Sequence, residues 1–437
     1  MKKLLYPGKE QWDLLCNRPL MDRSDVEPIV RSIIDNVRSG GDRALLKYSQ
    51  NIEGVVLNNL KVSQVEIVEA DKMIPPGLKN AIEIARGNIE KFHSAQLLVE
   101  PVVEISEGVS CWRRAVAIDR VGLYIPGGSA PLFSTVLMLV IPAKLAGCKD
   151  IVICTPPGKD GKVNPVILYA ASVTGATGIF KVGGAQAIAA MAFGTESIPR
   201  VYKIFGPGNQ FVTKAKEMIQ SEGIPIDLPA GPSELVIIGD KTSDPSFIAA
   251  DLLSQAEHGT DSQVVLLSDN EVLTDAVHRE IELQINKLPR KNIASASLEN
   301  SFSIVFNTTG ECIDFSNIYA PEHLIIATND AVPLSKKVRN AGSVFLGRYS
   351  CESTGDYASG TNHTLPTGGY ARSYSGVSVD SFVKKITFQE ISRNGILNLG
   401  PPVLEMAEAE LLSGHANAVK IRLKNIDNEK HRKTGKK

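Results

Sequence analysis

Between Val121 and Ile238 the chain alternates short β-branched runs with helical stretches, each joined by Gly or Pro. VGLYIPGG leads into APLFSTVLMLVIPAKLAGC, DIVICTPPG into a helix ending TGATG, IFKVGG into AQAIAAMAFG, and VYKIFGPGN into QFVTKAKEMIQSEG, before ELVIIGD closes the series. Apolar runs this short, separated by helix-length segments, read as βα units around a parallel sheet. A similar succession follows: a helix to His258, then QVVLL, VLTDAVHREIELQI, FSIVF, a short helix, HLIIAT, VPLSKKVRNA and SVFLG. The pattern predicts an α/β fold with two parallel-sheet layers of related architecture.

The rest of the 437 residues is less regular, and a chain of this length exceeds what one hydrophobic core organises. From Asp25 to about Gln96 the period is helical, with Val30, Ile33, Ile34 and Val37 on one face, and we expect this segment to pack on the second layer. The apolar run Ala130 to Cys148 is broken by Ser134, Pro142 and Lys144 and falls short of the roughly 20 apolar residues of a membrane span, so it reads as a buried helix. Cys351 to Gly376 is rich in Ser, Thr and Gly and reads as a functional loop. Past Val377 the chain reads as helical again, and the basic end from Lys424 to Lys437 as solvated and disordered.

Charge and cysteine usage narrow the function. With 47 basic against 48 acidic residues, no global field steers nucleic acid or an anionic membrane toward the chain, and a small uncharged or amphoteric partner fits better. The six cysteines form no CxxC pair and read as free thiols in a reducing compartment. The start, MKKLLYPGKEQWD, has too short an apolar run for a signal peptide, which makes the cytoplasm the expected location.

Three Gly-rich turns follow predicted strands: Ile125–Ser129 (IPGGS), Val182–Gln186 (VGGAQ) and Phe205–Gln210 (FGPGNQ). Each opens a helix, so its N–H groups can face an anion, or its glycines can simply make a tight βα turn. The dinucleotide fingerprint GxGxxG is absent, and the second strand runs into Thr-Pro-Pro-Gly without an acidic residue.

Metal-type residues cluster at four places. Gln255 and His258 stand three apart at the end of a helix that Asp244 can cap and Gly259 can stop, with Asp251 a turn behind. Glu322 and His323 precede a buried strand, Asp356 and His363 lie in the Ser/Thr/Gly loop, and Glu410 and His415 sit near the last helix. Singly, the helix dipole accounts for a histidine such as His258, and Asp356 reads as a turn residue. Together Gln255, His258, Asp356 and His415 offer two nitrogens and two oxygens without thiolate, a set that suits an exchangeable, catalytic Zn²⁺.

The blocks VGLYIPGGSAPLFSTVLML, KVGGAQAIAAMAFGT, IFGPGNQFVTKAK, DLPAGPSELVII, DLLSQAEHG, YAPEHL, TGDYASGTNHTLPT and ELLSGHANAV resemble, in order, those of the histidinol dehydrogenases, from about residue 25 to 423. The resemblance implies oxidation of L-histidinol to L-histidine with Zn²⁺ and two NAD⁺, in a homodimer whose C-terminal segment completes the partner's site. It implies two incomplete, Rossmann-like domains of aldehyde-dehydrogenase type, with small helical segments at both ends. The expected division is an N-terminal segment 1–22, a catalytic zinc domain from 23–120 and 236–378, an NAD-binding domain 121–235, and a dimerisation segment 379–437.

By motif, Gln255, His258, Asp356 and His415 would hold zinc, and Glu322 and His323 would carry the proton chemistry. These zinc ligands and His323 would also contact substrate, together with Ser233, His363 and Glu410. Tyr124, Gln186 and Asn209 would contact NAD. The competing chemistry is a thiohemiacetal on Cys111 or Cys148, but neither has a neighbouring histidine, and both read as structural thiols.

Overall fold

The computed structural model describes residues 1–18, 25–127, 131–228 and 231–434, with side chains described as far as Asn428. The chain divides into two compact units, Met1–Gln96 with Ile118–Phe382, and Leu97–Ala117 with Val383–Lys437.

The first unit holds both expected parallel sheets. In the smaller one, Gly178–Lys181, Asp150–Thr155, Arg120–Tyr124 and Lys203–Phe205 lie side by side, so that its strands run third, second, first, fourth in chain order. That is the order of a Rossmann half. The helix Phe133–Ala146 is buried continuously from Ser134 to Ala143, and Gly147 ends it in the left-handed region at φ 91°. A helix apolar on every face needs cover on every face.

That requirement explains where the first helical segment goes. Val26–Tyr48 packs on the helices Gly184–Phe193 and Gln210–Ser221, Gln64–Met73 on Pro165–Thr174, and Pro76–Ser94 on Phe133–Ala146. The segment therefore covers the first layer and not the second, because the helices of the first layer leave apolar outer faces that only another layer can bury.

The second sheet has six parallel strands in the order Lys2–Leu5, Phe302–Val305, Gln263–Ser268, Glu234–Gly239, His323–Ile326 and Ser343–Leu346. Its central four repeat the third, second, first, fourth order, which makes the two sheets related halves. The edge strand Lys2–Leu5 lies in what the sequence offered only as an N-terminal segment.

The second unit carries the antiparallel sheet of Val383–Ile391, Val109–Ala117 and Val103–Ser106, and two packed helices, Arg393–Ala409 and Ser413–Thr434. The stretch after Val377 is thus not helical at first: a 3₁₀ turn, Val379–Phe382, is followed by VKKITFQEI as a strand, in keeping with its β-branched residues. The basic tail is helical as far as Thr434. Among the described residues no helix is long and apolar enough to cross a membrane.

Candidate active site

The first unit brings several of the singled-out side chains to one place. Asp244 caps the helix Pro245–Ala256 through the Ser246 N–H, and the helix stops before Gly259, leaving Gln255 inside its last turn and His258 just beyond. Gln255 is buried and His258 is exposed. The buried amide lies between Glu352 Oε1 and the Glu234 N–H: with its oxygen toward Glu352 it can serve a cation shared with that carboxylate, and turned over it donates to Glu352 and accepts the Glu234 N–H at 3.1 Å.

Glu322 and His323 stand at the amino end of the strand His323–Ile326, whose register places His323 opposite Leu235 and Ser343. The chain reaches them through Ala320, a buried non-glycine residue in the left-handed region at φ 55°. Such backbone persists where the surroundings enforce it. Glu234, first residue of the neighbouring strand, holds both groups: its N–H donates to Glu322 Oε2 at 2.9 Å, and its carbonyl lies 3.3 Å from His323 Nδ1. Nδ1 therefore carries a proton toward that carbonyl, and Nε2 lies 3.5 Å from Asp356 Oδ1. Burial disfavours charge on this ring, but the Glu352 and Glu322 carboxylates outweigh it and hold the His323 pKa well above the usual imidazole value.

Asp356 lies on a short helix, Glu352–Tyr357, inside the stretch that read as a loop. Four residues before it on the same helix is Glu352, 1% exposed and absent from the sequence candidates. His258, Glu352 and Asp356 each bring one ligand atom within 4.8 Å of the other two. Burial, helped by Asp356, Glu322 and Asp251, pushes Glu352 up to about 8 against the pull of His323, and burial alone pushes Asp251 up to about 7. Glu352 Oε2, Asp356 Oδ1 and His323 Nε2 are buried without a hydrogen-bond partner among the described residues. Each such orphan costs about 1–3 kcal/mol. A cation held by nitrogen and oxygen donors removes that cost, and a donor set without thiolate fits Zn²⁺ in an open site.

His363 closes this corner: its Nδ1 bonds the Asp356 carbonyl at 3.0 Å and its Nε2 the Thr135 hydroxyl at 3.2 Å, so both ring nitrogens are engaged. Ser233 sits at the same strand edge, one residue before Glu234. Glu410 and His415 belong to the second unit, at the end of one helix and the start of the next, and both are exposed.

A cavity of about 700 Å³ adjoins the cluster, with Tyr124, Gln186, Asn209, His258, Arg290 and Tyr357 in its wall. Gly127, Pro156, Gly183 and Gly208, which follow the carboxyl ends of the four-stranded sheet, line it together with Glu257 and His258. Two of the Gly-rich turns are already capped from within: Gly183 N–H donates to Glu53 Oε1 at 3.1 Å, Gly184 N–H to Tyr124 Oη at 3.2 Å, and the Asn209 side chain accepts the N–H groups of Phe211 and Val212. In the third, Gly128 and Ser129 lie outside the described residues. Cys148 is packed away from the cavity, where burial pushes its thiol up to about 11.

Residues 16–423 match the protein-family model described as histidinol dehydrogenase. The chain belongs to the histidinol dehydrogenase family. A histidinol dehydrogenase of Bacteroides thetaiotaomicron is 54% identical over 426 residues, covering 98% of this chain and 100% of the relative. A chloroplastic histidinol dehydrogenase of Arabidopsis thaliana is 51% identical over 96% of this chain and 90% of its own. The crystal structure of histidinol dehydrogenase from Elizabethkingia anophelis superposes with a TM-score of 0.96 at 52% identity, covering 98% of this chain and 99% of that one. The chain is thus an oxidoreductase of histidine biosynthesis.

Proposed function

We propose that the chain oxidises L-histidinol through L-histidinaldehyde to L-histidine, using two NAD⁺ in turn and Zn²⁺ as its metal. The observation that carries this reading is the convergence of Gln255, His258, Glu322, His323, Glu352 and Asp356 beside a cavity of about 700 Å³ that Tyr124, Gln186 and Asn209 also line.

In this reading Gln255, His258 and Asp356 hold the metal, with His415 of the partner subunit completing the set and Glu410 of the partner subunit meeting the substrate in a homodimer. When bound, the metal is a template for the imidazole and amino nitrogens of the substrate, and the dinucleotide is the hydride acceptor. His323 Nε2 takes the hydroxyl proton as hydride leaves the carbinol carbon, and the surrounding carboxylates stabilise the imidazolium that forms. The aldehyde must then gain water before a second hydride can leave. Glu322, fixed by the Glu234 N–H, takes a proton from that water as its oxygen adds to the carbonyl, and His323, having released its proton, accepts the next one as the hydrate loses hydride. Ser233 and His363 shape the substrate end, His363 by fixing the Asp356 backbone.

Stoichiometry tests the reading. The zinc-loaded protein should yield two reduced cofactors and one L-histidine per L-histidinol consumed. One reduced cofactor with free aldehyde as product would exclude the second oxidation, and none would exclude both.

A further inference from the structure

The cavity wall holds a carboxylate, Glu53, that the reading above leaves without a task. Glu53 ends the short helix Ser49–Glu53 and bonds the Gly183 N–H through Oε1 at 3.1 Å. Its other oxygen, Oε2, is buried with no hydrogen-bond partner among the described residues. A Cβ at Gly183 would stand 2.7 Å from Pro156 Cβ and 2.8 Å from Glu53 Oε1, so the close approach of Pro156 and Glu53 requires glycine there.

The helix Gly184–Phe193 opens at this point, and a helix start beneath a Gly-rich turn is where a phosphate would ordinarily sit. Here its first N–H groups are taken by Glu53 and Tyr124, and a phosphate would face a carboxylate. Glu53 Oε2 calls instead for a neutral hydrogen-bond donor. Beside Glu53 the wall is apolar, with Ile29, Ile33 and Ile52, which suits a flat ring carried by a hydroxyl-bearing sugar.

We propose that Glu53 sets dinucleotide specificity in this cavity, accepting a hydroxyl of the adenosine ribose and excluding a 2′-phosphate at that position. In an ordinary Rossmann unit this acid stands at the end of the second strand. Here that strand, Asp150–Thr155, runs into Pro156-Pro157-Gly158, and the carboxylate arrives from a helical segment that precedes the sheet in the chain. The inference rests on the reading of the cavity as an NAD site.

Calorimetric titration of the zinc-loaded protein with ADP-ribose and with 2′-phospho-ADP-ribose tests this without turnover. The wild type should bind the first and reject the second. Glu53→Gln, which retains an oxygen for the Gly183 N–H, should weaken ADP-ribose about tenfold or more, the effect of losing a hydrogen bond to a charged group, and narrow the gap between the two ligands by at least that factor. Glu53→Asp, which keeps the charge on a shorter stem, should lose ADP-ribose affinity and still reject the phosphate, and melting curves establish that both variants are folded. An unchanged ratio of the two affinities in Glu53→Gln overturns the role of Glu53 and leaves the NAD reading standing. Failure of the wild type to bind either ADP-ribose or NAD⁺ overturns both.

Discussion

Arg18 lies far in sequence from every proposed catalytic group, yet replacing it with Met should reach them all through Glu234. Its Nε and Nη2 donate to the two Glu234 oxygens at 2.8 and 3.0 Å, Nη2 also to the Tyr319 carbonyl at 2.7 Å, and Nη1 to the Cys16 carbonyl at 3.0 Å. The guanidinium lies 3.6 Å from the centre of the Tyr319 ring. In Arg18→Met the Glu234 carboxylate, 1% exposed, keeps the Gly368 N–H at 2.9 Å and loses its counter-charge. Breaking one side of a buried pair costs about 3–5 kcal/mol.

The cost should depend on pH. Burial already raises the Glu234 pKa against the pull of Arg18, and removing Arg18 raises it further. An acid whose folded pKa exceeds its unfolded value stabilises the fold below the unfolded pKa, and that stability is lost as pH rises through the folded pKa. The deficit of Arg18→Met should therefore widen as pH rises above the wild-type folded pKa of Glu234, by about 1.4 kcal/mol per pH unit until the new folded pKa is reached. Guanidinium unfolding in a Trp112→Phe background isolates the fluorescence of Trp12, which packs edge-on against Phe306 and Phe315. Adding Glu234→Gln should remove the pH dependence. A cost below about 1 kcal/mol, or a deficit that does not change with pH, would show that Arg18 is not the counter-charge of a buried Glu234 carboxylate.

Other perturbations separate the proposed roles. Glu322→Gln should slow oxidation of supplied aldehyde at least about tenfold more than oxidation of the alcohol, read by single-turnover kinetics on each substrate, and equal losses would remove its role in activating water. Glu352→Gln should weaken zinc about 10- to 100-fold in competition with a chromophoric chelator, and unchanged affinity would place Glu352 outside the metal's surroundings. Cys111→Ser and Cys148→Ser should leave both oxidations within about twofold of wild type, while loss of the aldehyde step alone would restore the thiohemiacetal route.

The parts legible in the sequence are those with strong local periodicity. The two βα series announce both sheets because each buried strand is a short β-branched run closed by Gly or Pro, and Asp244 and Pro245 mark the start of the Gln255 helix as expected. The strands Val103–Ser106 and Val383–Ile391 escaped because they are largely exposed and so lack the alternation that a half-buried strand shows. Glu352 escaped because Ser353, Thr354 and Gly355 disguise a helical turn, although its spacing of four from Asp356 was the available signal. No local pattern could reveal Glu53, whose partner Gly183 is distant in sequence and meets it only in the folded unit. The two readings of the Gly-rich turns could not be separated for a related reason: in the turns at 182–186 and 205–210 the N–H groups find partners within the protein, which composition does not disclose.

The proposed chemistry turns on a zinc site of nitrogen and oxygen donors, built on Gln255, His258 and Asp356 and completed by His415 of the partner subunit. X-ray absorption at the zinc edge of the loaded protein, recorded beside its His415→Asn variant, tests it most directly. The zinc should show a first shell of nitrogen and oxygen at about 2.0–2.2 Å, with the scattering of two imidazoles in the wild type and one in the variant. A sulfur shell near about 2.3 Å, or a spectrum indifferent to His415→Asn, would contradict it.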